Sequence, residues 1–320
     1  MKNILIVGGA GYVGGYLVDQ LLKRTKYKLR VYDLLLYEKE YLKNVPFIYG
    51  DVTDKTRLKE QLKWADCVIW LAAIVGDGAC EINRDLTIKV NQNSINYLVK
   101  NFSKKIVFLS TCSVYGAQHG YLTENSPTNP LSLYAQTKLN AEKILLNKSN
   151  ATIFRLGTLY GLSDNFSRIR MDLVLNALVT KSFFENSVNI YGGQQYRPLL
   201  HVKDVSEGII QCLNKPKVKG IFNLHSKNIT IIDLAKKIKK YFPKLKLKIL
   251  KQEFRDTRNY RVVSDKSKKI LLFEPKHDIN FGIKEILKTL NEKRIKDVYD
   301  PRYINQLFLK NKLWAKIILN

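Results

Sequence analysis

Tyr134 and Lys138 are four residues apart in the segment SLYAQTKLNAEK, whose composition predicts a helix. Positions i and i+4 lie on the same face of a helix, so the lysine ammonium can approach the tyrosine phenol. Two opposite unit charges about 4 Å apart attract by roughly 4 kcal/mol at an effective dielectric constant of 20, which corresponds to about three pKa units. We therefore expect Lys138 to lower the pKa of Tyr134 toward neutrality, where the phenol can serve as a general base.

A glycine-rich turn, GGAGYVGG, directly follows the first predicted strand. Gly8, Gly11 and Gly14 have GxxGxxG spacing, which favours a tight turn, close approach of the backbone to a pyrophosphate, and close packing of helix on sheet. Asp33 ends the second predicted strand, where a carboxylate can accept hydrogen bonds from the adenosine ribose. The same carboxylate would repel a 2′-phosphate, and Leu34 supplies no arginine to hold one. The pattern therefore predicts that NAD binds in preference to NADP.

Asp51 ends the third predicted strand, and its residue type is consistent with two roles. The carboxylate can accept a hydrogen bond from the adenine amino group, or it can cap the helix that is predicted to begin in TDKTRL. The residues alone favour neither role.

Strand-like apolar runs alternate with helical patterns through the first half of the chain, which is typical of a parallel sheet covered on both faces. The predicted strands are at 2–8, 28–33, 46–51, 66–73, 105–110 and 151–157. The predicted helices between them are near 12–24, 54–63, 85–101 and 134–147. The predicted fold class is α/β, a Rossmann-type doubly wound parallel sheet with a smaller, mixed α/β C-terminal substrate lobe.

The second half of the chain is less regular. Its predicted elements are a strand at 221–225 and helices near 168–181, 230–241 and 282–290. The amphipathic segment YINQLFLKNKLWAKIIL, at 303–319, is either a docked tail or a subunit contact. We expect an NAD-binding domain at 1–165 and a substrate lobe at 166–320, with parts of about 197–225 returning to the first domain.

Composition narrows the class of protein. The chain has 320 residues and 45% apolar content, which is enough for a large core, and its longest apolar run, at 67–76, is too short to span a bilayer. The four cysteines and four histidines lack CxxC or paired metal-ligand spacing, so we expect a cytoplasmic protein with no metal site and no membrane partner.

The net charge is +26, with 54 Lys and Arg against 28 Asp and Glu. We attribute it to cations on solvated helix faces and expect no nucleic-acid partner, because no nucleic-acid-binding module is recognised. A positive field would still attract an anionic substrate such as a nucleotide diphosphate.

Taken in order, the motifs resemble those of extended short-chain dehydrogenases/reductases of the nucleotide-sugar epimerase/dehydratase family. The resemblance covers nearly the whole chain and rests on GGAGYVG, LAAIVG, STCSVYG, PTNPLSLYAQTK, RLGTLYG and RPLLHVKDV. It implies that Tyr134 takes a proton from a sugar hydroxyl, that Thr111 hydrogen-bonds the same hydroxyl, and that Lys138 holds the nicotinamide ribose. Hydride then passes to NAD. The other cofactor contacts expected are Tyr12, Val13, Val52, Leu71, Ala72 and Ala73.

The resemblance also implies substrate contacts. In the family an asparagine and two arginines clasp the nucleotide diphosphate, and the matching positions here are Asn176, Arg197 and Arg258. Arginine suits this task because its planar fork makes two parallel bonds to phosphate oxygens. Ser113 is expected to contact the sugar, and Thr158 replaces an asparagine that usually does so. The shorter side chain of Thr158 suggests a bulkier or differently oriented sugar, such as a heptose.

The residues after Thr111 narrow the reaction. The family's 4,6-dehydratases place an Asp-Glu pair there, whereas this chain has Cys112 and Ser113, so dehydration is disfavoured. The 3,5-epimerase-reductases that make GDP-fucose keep a cysteine two residues before the position of Tyr115, but Cys112 lies three before it. A 4-epimerase and a 4-dehydrogenase remain, acting on C4 of a GDP- or UDP-linked hexose or heptose in surface polysaccharide synthesis.

A function of another class stays open, namely a catalytically silent dinucleotide-binding scaffold or sensor with a nucleic-acid or protein partner. Such relatives usually lose the tyrosine or the lysine, and this chain keeps Tyr134, Lys138 and Thr111. The resemblance also implies a homodimer or higher homo-oligomer.

Overall fold

The computed structural model describes residues 2–148, 150–250, 258–295 and 297–311. Within these ranges the strands are β1 (Asn3–Val7), β2 (Lys28–Asp33), β3 (Phe47–Tyr49), β4 (Cys67–Trp70), β5 (Lys105–Thr111), β6 (Ala117–Leu122), β7 (Asn150–Leu156), β8 (Thr158–Tyr160), β9 (Ser187–Tyr191), β10 (Tyr196–His201), β11 (Gly220–Leu224), β12 (Lys227–Thr230), β13 (Lys246–Leu250) and β14 (Asn259–Val262).

The α-helices in the same ranges are α1 (Gly14–Arg24), α2 (Lys55–Trp64), α3 (Asp77–Cys80), α4 (Arg84–Ile88), α5 (Ser94–Asn101), α6 (Leu133–Lys148), α7 (Val174–Glu185), α8 (Val202–Asn214), α9 (Ile231–Lys239), α10 (Asp265–Leu271), α11 (Ile279–Asn291) and α12 (Asn305–Lys310). Among these elements, no helix has the length and apolar character that crossing a membrane requires.

A sheet of seven parallel strands organises the first half of the chain, in the order β11-β7-β5-β4-β1-β2-β3. The chain winds outward from β1 in both directions, so the loops after β1 and β4 leave the sheet on opposite faces and open a crevice at its carboxyl edge. The α/β doubly wound fold predicted from the alternation of strands and helices is confirmed.

Apolar residues fill both faces of this sheet, which explains why its strands are continuous hydrophobic runs. In β1, Ile4 and Ile6 face a core shared with α1 and α8, whereas Leu5 and Val7 face a core shared with α2, α5 and α6. All four side chains are fully buried, and burying each contributes about 1.5–3 kcal/mol relative to exposure. This rigid layer holds the carboxyl ends of the strands in place.

The second lobe consists of three small sheets, with strand orders β12-β10-β8, β13-β9 and β14-β6, and a core shared with α7, α9 and α11. Helix α8 and strand β11 return to the large sheet, because α8 packs on α1 and β11 pairs with β7. Helix α7 begins at Val174 and not near residue 168, as predicted, because residues 163–173 form a loop instead.

The predicted helix near 85–101 is interrupted. Helices α4 and α5 are joined by a π-helical turn over Lys89–Asn93, a feature often found near functional sites. The turn presents the buried side chain of Asn91, which accepts a hydrogen bond from Ile74 N at 2.8 Å and donates one to Ile74 O at 2.9 Å. It therefore fixes the backbone of the loop that follows β4.

The C-terminal segment docks on the first domain as far as it is described. Phe308 and Leu309 of α12 are buried with Ile74 and Cys80. The rest of the predicted amphipathic segment, at 312–319, lies outside the described residues.

Candidate active site

A cavity of about 350 Å³ opens at the carboxyl edge of the large sheet, where β1, β2, β4 and β5 end. Its wall brings together most of the predicted site residues. Those that line it are Gly8, Gly11, Tyr12, Val13, Asp33, Asp51, Val52, Leu71, Ala72, Ala73, Thr111, Ser113, Tyr134, Lys138, Thr158 and Arg258.

The three glycines of the turn have different surroundings. Gly8 has a φ of +84°, and a Cβ atom there would lie 2.4 Å from the backbone nitrogen of Ala72. At Gly14 a Cβ atom would lie 2.3 Å from the carbonyl oxygen of Gly9, so this residue serves close packing. At Gly11, which lines the cavity, the nearest atom would be Gly8 O at 3.4 Å. The turn therefore offers a bare backbone to a pyrophosphate, as a dinucleotide requires.

Asp33 is positioned by the backbone at the end of β2. Its carboxylate accepts hydrogen bonds from Ala10 N at 2.9 Å and from Leu35 N at 2.7 Å. Burial raises the pKa of Asp33, and these two N–H groups act in the opposite direction. Each carboxylate oxygen has a second lone pair, so both can still accept a ribose hydroxyl. The residues present fit NAD.

Asp51 does not cap helix α2. The capping residue is Asp54, which accepts from Arg57 N at 3.0 Å, while Asp51 accepts from Thr53 N at 2.7 Å in the preceding turn. The capping role considered for Asp51 is therefore wrong, and its side chain lines the cavity instead.

Tyr134 and Lys138 both reach the cavity from α6, but the expected pKa relationship is wrong. Burial raises the pKa of Tyr134, and the nearby cation that acts against this is Arg170. Lys138 donates a hydrogen bond from Nζ to Leu109 O at 2.7 Å and lies 4.5 Å from the centroid of the Phe108 ring. Burial lowers the pKa of Lys138 to about 8. Spacing on the helix gave the position of the pair correctly, but it carried no information about desolvation.

Thr111 ends β5 with its hydroxyl partly engaged. Its Oγ1 atom accepts a hydrogen bond from Ser113 N at 3.1 Å, which leaves the hydroxyl proton able to donate toward the cavity. Ser113 Oγ lies 3.3 Å from Tyr260 OH. Cys112 is fully buried with its Sγ 3.3 Å from Arg155 O, and burial raises the pKa of its thiol, so it is a packed core residue.

Arg258 and Thr158 enter the cavity from the second lobe. An ion pair joins Arg258 Nη1 to Asp77 Oδ2 at 3.0 Å, and Asp77 also accepts from Ser132 Oγ at 2.7 Å. Thr158 is the first residue of β8 and is half-buried. Arg258 therefore links the second lobe to the start of α3 and, through Asp77, to Ser132 just before α6.

Asn176 and Arg197 lie behind the cavity wall. The amide of Asn176 accepts from Gly161 N at 2.8 Å and donates to Gly161 O at 3.0 Å and Arg170 O at 2.7 Å. Both of its hydrogens are thus committed to the backbone. Arg197 is buried and donates to the carbonyl oxygens of Tyr196 and Arg258. For either residue, a direct contact with a diphosphate would require these bonds to be exchanged.

Two arginines in the wall, Arg168 and Arg170, were not predicted from the sequence. They belong to the loop before α7, which was predicted as helix. The pattern SRIRMD does not place either side chain, because Arg168 bonds Asn305 and Asp172, the partner of Arg170, is itself held by Asn305 N, far away in the sequence.

The comparisons with known proteins agree with this site. A family model described as the NAD dependent epimerase/dehydratase family matches residues 4–224. The chain belongs to this family. It is therefore an NAD-dependent enzyme of the nucleotide-sugar epimerase/dehydratase class, as the motifs indicated.

Two relatives and one solved structure illustrate the range of similarity. The uncharacterized UDP-glucose epimerase YtcB of Bacillus subtilis is 29% identical over 68% of this chain and 74% of its own length. The uncharacterized protein MJ1055 of Methanocaldococcus jannaschii is 31% identical over 88% of this chain and 94% of its own length. The UDP-glucuronic acid 4-epimerase of Bacillus cereus, solved with UDP-glucuronic acid and NAD, shares 24% identity and a TM-score of 0.78, with 91% of this chain and 99% of that one covered.

Proposed function

We propose that this protein is a 4-epimerase of UDP-linked hexoses, which oxidises C4 of the sugar with Tyr134 as the base and then returns the hydride to the opposite face. The observation that carries the proposal is the convergence of Tyr134, Lys138 and Thr111 on one cavity that also holds the dinucleotide turn. The same cavity offers no Asp-Glu pair after Thr111 to drive elimination of water.

Tyr134 is assigned to proton transfer at the C4 hydroxyl, and Thr111 to its orientation. Thr111 has a hydroxyl proton left to donate, because Ser113 N already occupies its acceptor side. When bound, NAD supplies the hydride acceptor and, in its oxidised form, a positive charge. In an epimerase the proton that Tyr134 accepts during oxidation is returned during reduction, so the enzyme ends each cycle in its starting state.

Lys138 is assigned to holding the nicotinamide ribose. Its Nζ has one donor fixed on Leu109 O, and an ammonium has two more to offer a ligand. Because burial raises the pKa of Tyr134, the phenol needs a nearby cation in order to ionise during turnover, and Arg170 in the wall acts against that burial.

The absence of elimination chemistry supports epimerisation over dehydration. Dehydration of C5 and C6 needs an acid and a base next to Thr111. Cys112 is buried against Arg155 O, and burial raises its pKa, so its thiolate is disfavoured. Ser113 pairs with Tyr260 and carries no charge.

The choice of UDP among the nucleotides considered is supported by the relatives. The Bacillus subtilis relative is named for UDP-glucose, and the Bacillus cereus structure contains UDP-glucuronic acid. A net 4-dehydrogenase uses the same first half-reaction, and it differs only in releasing the ketone and the reduced cofactor.

The test is incubation of the enzyme and NAD with UDP-, GDP-, CDP- and dTDP-linked sugars in heavy water, followed by mass spectrometry and proton NMR. A 4-epimerase leaves the mass unchanged, alters the coupling at H4 and incorporates no deuterium, since the hydride returns directly. Loss of two hydrogens with accumulation of reduced nicotinamide would replace the proposal with a 4-dehydrogenase, and loss of water would replace it with a dehydratase. If every sugar nucleotide is unchanged and nucleic acid is retained in a salt-dependent way, the scaffold function is favoured instead.

A further inference from the structure

The loop of residues 163–173 brings two arginines to the cavity from the substrate lobe, and the two are held differently. Arg168 is held by residues that are distant in the sequence. It donates to the side-chain oxygen of Asn305 and, through Nη2, to Arg302 O at 3.3 Å, and its guanidinium lies 3.2 Å from the centroid of the Tyr37 ring. Burial lowers the pKa of Arg168 to about 10. This residue therefore joins the loop to the C-terminal segment.

Arg170 uses only one edge of its guanidinium. Its Nε donates to Asp172 Oδ1 at 2.6 Å and its Nη2 to Asp172 Oδ2 at 3.0 Å. Among the described residues, Nη1 of Arg170 has no hydrogen-bond partner. This atom is not fully buried, so it is accessible to a ligand. Since Arg170 lines the cavity, this nitrogen is open to it.

A chain of hydrogen bonds ties Arg170 to the glycine turn. Asn176 donates to both Arg170 O and Gly161 O, and Gly161 O also accepts from Tyr12 OH at 2.7 Å. Tyr12 lies within the turn itself, between Gly11 and Gly14. These bonds hold the loop that carries Arg170 close to the turn at the cavity.

Three tyrosines mark different parts of the wall, namely Tyr12 in the turn, Tyr37 after β2, and Tyr134 on α6. The charge of Arg170 opposes the effect of burial on the pKa of Tyr12 and of Tyr134. Asp33 and Tyr37 mark the adenosine end, and Tyr134 marks the nicotinamide end. The pyrophosphate is the middle of a dinucleotide and binds at the glycine turn, to which Arg170 is tied through Asn176, Gly161 O and Tyr12.

We infer that Arg170 is a ligand of the NAD pyrophosphate, offered by the substrate lobe opposite the glycine turn. The turn can donate backbone N–H groups from one side, and the open edge of Arg170 can donate charge-assisted hydrogen bonds from the other. Asp172 acts as a positioning residue, because its bidentate pairing turns the second edge of the guanidinium toward the cavity. The substrate lobe then takes part in holding the cofactor.

A competing ligand for Arg170 is the diphosphate of the sugar nucleotide, and binding measurements separate the two. The test compares the Arg170→Gln variant with the wild-type chain by calorimetric titration of NAD, ADP-ribose, adenosine and UDP, each without any sugar nucleotide. The matched control is Arg294→Gln, which removes the same charge from an exposed arginine whose Nη2 bonds Asn165 Oδ1 at 3.2 Å.

The expected result for Arg170→Gln is that NAD and ADP-ribose bind about 10- to 100-fold more weakly, the usual cost of losing a charged hydrogen bond, while adenosine binds within about twofold of wild type. Unchanged NAD affinity would overturn the inference, and unchanged NAD affinity with weaker UDP binding would assign Arg170 to the substrate. If Arg170→Gln fails to fold by circular dichroism, Arg170→Lys replaces it. That variant keeps the charge but loses the fork, so we expect a smaller but measurable loss for NAD and ADP-ribose, and no loss would again overturn the inference.

Discussion

The two facing walls of the cavity are built in opposite ways. The glycine-turn wall is made of backbone and of residues close together in the sequence, such as Asp33 and Ala10, which are 23 residues apart. The arginine wall depends on side chains and on distant partners, since Arg168 and Asp172 bond Asn305 across 137 and 133 residues. The first wall depends mainly on the sheet, with Tyr12 OH also donating to Gly161 O, whereas the second depends on contacts with the C-terminal segment.

This difference predicts where substitutions act. In the glycine-turn wall, replacing a residue whose Cβ has no space should disturb the sheet itself. In the arginine wall, a substitution should loosen the cofactor site while the sheet remains folded.

The largest effect is expected for Gly8→Ala. A residue at φ +84° strains an L-amino acid, and the new Cβ would lie 2.4 Å from Ala72 N, so we expect the free energy of unfolding to fall by about 2–5 kcal/mol. Chemical denaturation measures this. Gly11→Ala is the matched control, since its Cβ would meet only Gly8 O at 3.4 Å, and we expect it to weaken NAD binding with a change in stability below about 1 kcal/mol. Equal destabilisation by the two substitutions would refute the separate tasks of the two glycines.

A smaller effect is expected for Asn305→Ala in the arginine wall. The Asn305 side chain is buried, donates to Val75 O at 2.7 Å and accepts from Arg168, so its loss leaves both partners unsatisfied. We expect a cost of about 1–3 kcal/mol in stability together with weaker NAD binding. Thermal unfolding measures the change in stability, and calorimetric titration measures the affinity for NAD. The exposed Asn280, whose side chain bonds Asp278, provides the control Asn280→Ala, which should change neither. Wild-type affinity for NAD in Asn305→Ala would show that the C-terminal segment does not support the site.

The smallest effect is expected from pH. Burial lowers the pKa of Lys138 from its ordinary 10.5 to about 8, so the ammonium is present below about pH 8 and is lost above it. If Lys138 acts as a cation, kcat/KM should fall by up to about tenfold per pH unit above about 8. Lys138→Arg should lack this limb, because a guanidinium stays charged. A pH profile that is flat from 7 to about 10 in the wild type would contradict the role.

The lowered pKa of Lys138 also predicts how the stability of the protein changes with pH. Between about pH 8 and its ordinary value of 10.5, Lys138 is neutral when folded and protonated when unfolded. The unfolded state then binds more protons, so this residue makes the protein more stable as pH rises through that window. Denaturation at pH 7.5 and 10 should show a smaller gain in Lys138→Met, in which the titrating amine is absent.

The residues of the glycine-turn wall could be predicted because the pattern that identifies them lies within a short stretch of the sequence. A strand, a turn and a helix follow one another within β1 and α1, and the positions of Gly8, Gly11 and Asp33 follow from that succession. The helix spacing likewise brought Tyr134 and Lys138 to the cavity.

Two features could not be predicted from the sequence. They are the burial of the site residues and their contacts with residues that are distant in the sequence. The shift in the pKa of Tyr134 had the opposite sign to the prediction, because burial depends on what packs around the phenol and not on its neighbour at i+4. Arg170 was missed because its loop is shaped by Asn176 and Asn305. Asn176 and Arg197 were predicted as substrate contacts from the resemblance alone, and those roles stay predictions.

The most direct test of the central claim, that Tyr134 moves the proton during oxidation of the sugar, is a single-turnover measurement of reduced nicotinamide after mixing the NAD-loaded enzyme with its sugar nucleotide. Tyr134→Phe keeps the ring and removes the hydroxyl, and Tyr121→Phe is the control at an exposed tyrosine. We predict that Tyr134→Phe binds NAD as the wild type does but forms reduced cofactor about 10²- to 10⁴-fold more slowly, while Tyr121→Phe is unaffected. Reduction by Tyr134→Phe at a rate within a few-fold of wild type would contradict the account.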